Sequence, residues 1–261
     1  MKEIFGILEK FQFELEPCAI KYVNIKPKGI RRLQNVMDFC EMLREAQSGS
    51  IFYADAENFS CIGPFILGMK EKDPVFTKGF VGPRLGIFKE ERANRRIYQY
   101  LPMMPKDSVS YVLFSPLFSS PFEPDLIVFL LTVDQAEIML RAKSFETGEM
   151  WVAKGTPVAT CAWLFIYPYL SGDINFTVTG FGFGMKARKL FPEGRILFSI
   201  PWDKIRQIVE SLREMEWIPE SFVIGPEKHK NKVRRIIKAV QEELERGKTH
   251  EEESPSYECK G

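Results

Sequence analysis

The sequence predicts an α/β or α+β fold, in which flanking helices pack on a mixed sheet. Segments with helical spacing of apolar residues alternate with short runs of β-branched and aromatic residues up to about residue 216. One run, DLIVFLLT at 125–132, is apolar almost throughout, which is typical of a central strand buried on both faces. At 261 residues and 45% hydrophobic content, the chain is long enough to bury a substantial core.

In the first half of the chain, the sequence pattern predicts two helices, two strands and a long surface segment. Helical spacing is found in residues 1–16, which end at Pro17, and in residues 31–47, which end before Gly49. Strands are expected at 18–25 and 50–56. Residues 72–110 are punctuated by Pro and Gly, and we expect them to run over the surface with one helical patch, KEERANRRIYQYL.

The second half predicts further strands and helices, followed by a C-terminal extension. Strands are expected at 110–117, 125–132, 174–180 and 195–201, and helices at 134–145, with Asp134 as N-cap, and at 202–216. Residues 1–220 are therefore expected to form a single domain. A helical extension follows at 221–247. The polar residues 248–261 can bury little apolar surface, so the sequence predicts a disordered tail there.

Two stretches of the chain have the same order of features. LREAQSGSIFYADAENFSC (43–61) and LRAKSFETGEMWVAKGTPVATC (140–161) both contain Leu-Arg, a glycine, an aromatic strand-like run and a cysteine. Each cysteine is followed by an apolar run, CIGPFILGM or CAWLFIYPYL. The pattern predicts two pseudo-repeated halves, about 18–110 and 111–216. Chance is the alternative, since helix, glycine and strand often follow one another.

Several motifs together resemble one known family. PCAIKY, FCEMLREAQSGSIFYADAENFSCIGPFILGM, VLFSPL, EPDLIVFLLTVDQAEIMLRA and the ATC passage occur in an order and spacing similar to those of the domain of unknown function 169 family. That family is widespread in archaea and anaerobic bacteria, and the resemblance covers about residues 10–215. The family usually has an apolar residue where Cys18 stands and often a glycine where Ala162 stands. The family is uncharacterised, so the resemblance implies a fold and no reaction.

Three cysteines are the candidate metal ligands. Cys40 lies on the apolar stripe of a predicted helix, and Cys61 and Cys161 each precede an apolar helix. A thiol at a helix N-terminus is expected to have a lowered pKa, which favours the metal-binding thiolate. The three could hold an iron–sulfur cluster or another metal such as zinc. The chain contains no CxxC pair, and the alternative is that all three are small buried hydrophobic residues.

Three further residues are candidates for binding a cofactor. Lys21 is a charge within the apolar strand 18–25, where it could bind an anionic group or simply face solvent. Gly182 lies in GFGFG (180–184), and Arg188 follows in a short basic segment. The glycine spacing matches neither a dinucleotide-binding fingerprint nor a phosphate-binding P-loop, so a tight turn is the alternative interpretation.

The composition argues against several classes of function. With a formal net charge of +1, the protein has no global field that would attract nucleic acid. No apolar stretch is long enough to span a membrane, and the N-terminus lacks the pattern of a signal peptide, so a cytoplasmic location is expected. The two histidines, His229 and His250, both lie near the C-terminus. Catalysis by Cys61 or Cys161 with a histidine base is therefore disfavoured.

These observations predict a cytoplasmic protein that binds a metal centre or a small cofactor in an aromatic-lined cleft between two halves. Cys40, Cys61 and Cys161 would be its metal ligands. The alternative is a non-catalytic module that senses a small molecule or binds a partner, with structural cysteines. A homo-oligomer is possible under either hypothesis, and the sequence assigns no role to Cys18 or Cys259.

Overall fold

Six strands form one antiparallel sheet in the computed structural model, which describes residues 2–245. The strands are β1 (Cys18–Val23), β2 (Phe52–Ala54), β3 (Tyr111–Pro116), β4 (Leu126–Leu131), β5 (Asn175–Val178) and β6 (Ile196–Pro201). Their order across the sheet is β2-β3-β1-β4-β6-β5. All six residues of the internal strand β4 are buried, which agrees with its unbroken apolar sequence.

The helices differ widely in length. They are α1 (Lys2–Leu8), α2 (Phe39–Gln47), α3 (Gly63–Ile66), α4 (Pro74–Thr77), α5 (Val81–Arg84), α6 (Glu91–Tyr100), α7 (Val133–Phe145), α8 (Tyr167–Ser171), α9 (Phe183–Ala187), α10 (Trp202–Glu214), α11 (Glu220–Val223) and α12 (Pro226–Glu245). Short 3₁₀ turns occur at Glu9–Phe11 and Ala56–Asn58, and a π-helix at Ala162–Ile166 leads directly into α8.

Both faces of the sheet are covered, as the alternation along β4 shows. Leu126, Val128 and Leu130 belong to one apolar cluster together with residues of α2 and the π-helix. The intervening residues of β4 point to the opposite face, where α7 and α10 pack on β4 and β6. The candidate site described below lies on the α2 side of the sheet, because its cysteines adjoin that apolar cluster.

The structure confirms an α+β fold and corrects two details. Within residues 2–245, all five strand ladders are antiparallel, and parallel pairing is limited to the isolated bridges Arg32–Tyr53 and Met37–Phe59. These bridges hold residues 31–38 in an extended path, although their apolar spacing predicted a helix. The helix begins only at Phe39, where Asp38 and Glu41 form a capping box that fixes its first turn.

The expected internal repeat is not confirmed. Gly49 and Gly148 both have positive φ angles, 107° and 65°, and both follow a helix. After Gly49 the chain forms β2, whereas residues 149–156 form no strand. The Asn175 side chain instead bonds to the backbone of Lys154, accepting from its N–H and donating to its carbonyl, each at 2.9 Å. A side chain thus satisfies backbone groups that a neighbouring strand would otherwise bind.

The chain divides into two compact units, one ending at Met215 and one beginning at Glu216. The second unit contains α11 and α12, in agreement with the predicted helical C-terminal region. The predicted tail at 248–261 and Cys259 lie outside the described residues. Within residues 2–245, no helix is both long enough and apolar enough to cross a membrane.

Candidate functional site

A cleft of about 470 Å³ lies among four parts of the first unit. Its walls are the start of α2 with the loop at residues 60–62, the helical segment from α4 to α6, the loop at residues 157–161, and α9 with the residue after it. Several aromatic residues contribute to its lining, namely Phe39, Phe76, Tyr98 and Phe183. The segment 74–98 was expected to run over the surface, yet it forms one wall.

Five of the six predicted site residues line this cleft. Their positions in the chain are far apart, but Cys40, Cys61, Cys161, Gly182 and Arg188 all contribute to the lining. Burial in this cleft raises the pKa of each of the three thiols.

Lys21 lies on β1 and does not line the cleft. Its Nζ donates to the backbone carbonyl of Glu123 at 2.7 Å and lies 3.7 Å from Asp125 Oδ1. Asp125 also accepts from the backbone N–H of Tyr22 at 2.8 Å. These contacts give the Lys21 ammonium a structural role, in which it holds the 123–125 loop to the strand.

Cys61 lies between the first turns of two helices. Its Sγ accepts from the backbone N–H of Phe39 at 3.4 Å and from that of Gly63 at 3.3 Å. Phe39 is the first residue of α2 and Gly63 is the first residue of α3, so both donors are amides that lack a partner within their own helix. Burial nevertheless dominates and raises the pKa of the Cys61 thiol from 9.0 to about 12.

Cys40 contacts the single guanidinium group of the cleft wall. Arg188 Nη2 donates to Cys40 Sγ at 3.4 Å and forms an ion pair with Asp38, and Arg188 Nε lies 3.4 Å from Glu41. Burial raises the pKa of Cys40, and the Arg188 charge opposes that rise only in part. Arg188 therefore links α9 to the start of α2 and is largely neutralised by the two carboxylates.

Cys161 follows a strained stretch of backbone. Ala159 has a φ of 56°, an uncommon value for a residue with a side chain, and Cys161 immediately precedes the π-helix. Burial raises the pKa of Cys161, and the nearby Cys61 and Cys40 raise it further. These mutual effects arise because the three thiols line the same cleft.

Gly182 is needed for close packing beside Cys161. A Cβ atom at this position would lie 3.0 Å from Thr160 Oγ1 and 3.2 Å from Met185 Sδ. Thr160 is held in place, since its hydroxyl donates to the carbonyl of Thr156 at 2.8 Å. The glycine therefore lets α9 approach the loop that carries Cys161, and it acts in packing.

The expected lowering of thiol pKa values by helix N-termini was wrong for this site. All three thiols have raised pKa values, with burial as the largest cause. The helix α3 has only four residues and therefore supplies only a weak dipole to Cys61. Removal of water from a charged thiolate outweighs the few N–H donors, and the thiols are protonated at neutral pH.

Sequence reasoning missed two polar residues of the cleft. Asp38 is buried, pairs with Arg188 and accepts from Ser60 Oγ at 2.5 Å. Asn94 on α6 is only 1% exposed, and its Oδ1 has no hydrogen-bond partner among the described residues. Asn94 precedes the buried Ile97 by three positions on an otherwise polar helix. A polar residue on the short apolar face of α6 was the signal that could have identified it.

The donor groups of the cleft do not form a ready metal site. Among residues 2–245, no group of three or more His, Cys, Asp or Glu side chains is arranged so that it could hold a metal ion. The three thiols share the cleft but do not meet the geometry that one ion requires.

The raised pKa of Cys61 predicts a loss of stability at alkaline pH. In the unfolded chain this thiol ionises above pH 9.0, whereas in the folded chain it ionises only near pH 12. The contribution of the thiol to the free energy of unfolding is therefore intact below pH 9 and is lost as the pH rises towards 12. The full pKa shift would lower the free energy of unfolding by about 2 kcal/mol at pH 10.5. We expect a loss of about 1 kcal/mol, because the Cys61 side chain is partly exposed to water. Urea unfolding at pH 8.5 and 10.5 should show this additional loss relative to Cys61→Ala. Equal pH dependence of the two proteins would contradict it.

The fold and the cleft together define an α+β protein with a thiol-lined cavity beside an antiparallel sheet. The chain belongs to the domain of unknown function 169 family, whose model, described as "Uncharacterised ArCR", matches residues 7–211. The resemblance found in the sequence motifs is thereby confirmed. No curated protein and no solved structure matches the chain.

Proposed function

We propose that the protein binds a small organic molecule in the cleft, with the side chains of Cys40, Cys61 and Cys161 against it. The observation that carries this proposal is the convergence of three sequence-distant thiols on one cavity of about 470 Å³. Cavities of roughly 300–1,000 Å³ are typical of small-molecule and cofactor sites. This role corresponds to the small-cofactor prediction made from the sequence.

The lining favours an uncharged ligand with a flat apolar body. Asp38 and Arg188, the charged residues of the lining, form an ion pair with each other and offer little net charge. The thiols are protonated at neutral pH, so they present soft, weakly polar surfaces. Phe76 and Phe183 add ring surface against which a planar molecule can pack.

Asn94 supplies the specific polar contact. Its Oδ1 is buried without a partner among the described residues, and a buried acceptor of this kind costs free energy until something donates to it. Because Asn94 lines the cleft, a small shift of its side chain would bring this acceptor within reach of an N–H or O–H group on a bound molecule. The proposed ligand therefore carries at least one hydrogen-bond donor on its ring system.

A metal centre is the second candidate, and the hydrogen bonds to sulfur favour it. Cys61 Sγ accepts two backbone N–H groups and Cys40 Sγ accepts from Arg188, and such donors stabilise metal-bound thiolates. Since the described residues form no preorganised site for a single ion, the centre would be one with bridging atoms of its own, such as an iron–sulfur cluster. Cys40, Cys61 and Cys161 would hold it, and it would supply electron-transfer or Lewis-acid chemistry.

We propose binding without nucleophilic catalysis, in the cytoplasm. Protonated thiols with raised pKa values are poor nucleophiles, and no histidine within residues 2–245 lines the cleft. Cys18, Cys40, Cys61 and Cys161 are all free thiols, as is usual in the reducing cytoplasm. A sensing module is compatible with this proposal, provided that the cysteines contact the ligand.

The test compares two cysteine variants purified without oxygen. Native mass spectrometry should show an added mass of one ligand per chain, and iron, zinc and sulfide analysis identifies a metal centre if that is the species. We expect Cys61→Ala to lose the bound species, because Cys61 lines the cleft. Cys18→Ala is the matched control, since Cys18 is also a free thiol but lies on β1 and not among the lining residues.

The outcomes distinguish a bound organic molecule from a metal centre, and either of these from a cleft that binds neither. An organic mass increment supports the first candidate, and iron with sulfide supports the second. If the wild-type protein carries no added species and binds none from a library of uncharged heteroaromatic compounds or on anaerobic reconstitution with iron and sulfide, the proposal is wrong. Equal retention in Cys61→Ala and the wild type would equally contradict it.

A further inference from the structure

The last described helix has an exposed apolar stripe. In α12, Val233, Ile237, Val240 and Leu244 are each between 38% and 56% exposed. Their spacing of four, three and four residues places them on one face, in the pattern of the a and d positions of a heptad repeat. Ile236 lies beside the stripe and is also exposed. The remaining residues of the helix are mostly charged.

A stripe of this kind is typical of a helix that pairs with another helix. Much of the stability of helices in proteins comes from packing of their apolar face, yet α12, a helix of 20 residues, leaves its apolar stripe exposed to water. The helix has intrahelical ion pairs, Lys230–Glu227 at 3.0 Å and Lys238–Glu242 at 3.6 Å, which support it only weakly. The apolar stripe therefore requires an explanation of its own.

The charges of α12 are distributed unevenly along its axis. The first two-thirds of the helix carry the basic residues Lys228, Lys230, Lys232, Arg234, Arg235 and Lys238. The last turns carry the acidic residues Glu242, Glu243 and Glu245. The helix is thus positive over most of its length and negative at its C-terminal end, and an antiparallel copy of the same helix is complementary to it.

We infer that α12 pairs with α12 of a second copy of this chain, in antiparallel orientation. In that arrangement Val233 faces Leu244 of the second copy, and Ile237 faces Val240 of the second copy. The twofold axis repeats both contacts, so each residue of the stripe has an apolar partner on the other helix. The basic part of each helix then lies beside the acidic end of the other. A parallel pair would place like charges side by side, which disfavours it.

The expected affinity is modest. Four apolar layers form an interface smaller than about 1,200 Å², which is typical of weak and transient associations. We expect a dissociation constant of about 10–100 µM, so the dimer would be populated only in concentrated samples. This inference is independent of the ligand proposed for the cleft.

Sedimentation equilibrium of the full-length protein tests the inference. We expect a monomer–dimer equilibrium in the wild type and a dissociation constant at least ~30-fold larger in Ile237→Asp, because a charge in an apolar layer is left unpaired. Ala239→Asp is the matched control, since it adds the same charge away from the stripe and should leave the equilibrium within about twofold. Circular dichroism of each variant shows whether helix content is retained.

A double charge reversal tests the orientation. Arg234→Glu with Arg235→Glu makes the basic part of the helix nearly neutral, which weakens an antiparallel pair and strengthens a parallel one. We expect the dissociation constant to rise about threefold to tenfold at low salt. A monomer at every concentration, a dimer that Ile237→Asp leaves intact, or tighter association of the charge-reversal variant would each overturn the inference.

Discussion

Replacing Phe39 by alanine is expected to lower the free energy of unfolding by about 3–5 kcal/mol. Phe39 is fully buried at the start of α2 and contacts three other aromatic rings. Its ring centroid lies 4.4 Å from that of Phe165, 5.5 Å from that of Phe59 and 5.9 Å from that of Phe114. The substitution removes the ring that joins α2, the sheet and the π-helix, and it leaves a cavity in their shared core.

Urea unfolding followed by circular dichroism measures this effect. Phe145→Ala is the matched control, because Phe145 ends α7 and is 53% exposed, and it should cost less than about 1 kcal/mol. Phe39→Leu should recover part of the loss, since it fills part of the cavity. Equal losses for the Phe39→Ala and Phe145→Ala variants would show that the aromatic contacts of Phe39 contribute little.

The sheet could largely be predicted from the sequence because its strands have strong local patterns. β4 is an unbroken apolar run and is buried at all six positions. β3 and β6 are rich in residues that favour strands, and each was predicted to within one or two residues. The order of the strands could not be predicted in this way, because it depends on pairing between distant residues that leaves no local signal.

The start of α2 and the inward packing of the segment 74–98 could not be predicted, for two different reasons, although the helix α6 was expected from KEERANRRIYQYL. Residues 31–38 have helical apolar spacing, but tertiary pairing of Arg32 and Met37 with distant residues overrides it. The segment 74–98 is rich in Gly and Pro and resembles a surface loop, yet Asn94 and Ile97 turn inward. Three short helices can line a cavity with only a few inward-facing residues, so composition is a poor guide to their role.

The residues that line the cleft could be predicted from the sequence better than the ionisation of its thiols. The recurrence of cysteine before an apolar run indicated that Cys61 and Cys161 share an environment, and both line the cleft with Cys40. The direction of their pKa shifts could not be read from the sequence, because it depends on how deeply the thiols are buried. The charge of Lys21 was visible in the sequence, but its partners Glu123 and Asp125 lie about a hundred residues away.

Asp38→Ala is expected to lower the free energy of unfolding by about 2–3 kcal/mol. Asp38 caps α2 through a capping box in which its side chain faces the backbone N–H of Glu41, and loss of this side chain costs about 1 kcal/mol. It also accepts from Ser60 Oγ and pairs with Arg188, and loss of these contacts adds about 1–2 kcal/mol. Arg188 is partly exposed, so water compensates for some of the lost ion pair.

The Asp38→Asn variant removes the charge of Asp38 and retains its capping oxygen, so it distinguishes the contribution of the cap from that of the charge. Asparagine retains a side-chain oxygen that can cap the helix, so this variant should cost about 1 kcal/mol less than Asp38→Ala in urea unfolding. Both variants remove a negative charge that raises the pKa of Cys61 and of Cys161, so those thiols should ionise at lower pH. Iodoacetamide should accordingly alkylate Cys61 faster at pH 9 in both variants than in the wild type, as peptide mass spectrometry would show. Faster alkylation in Asp38→Ala alone would instead indicate local unfolding of α2, since only that variant loses the cap.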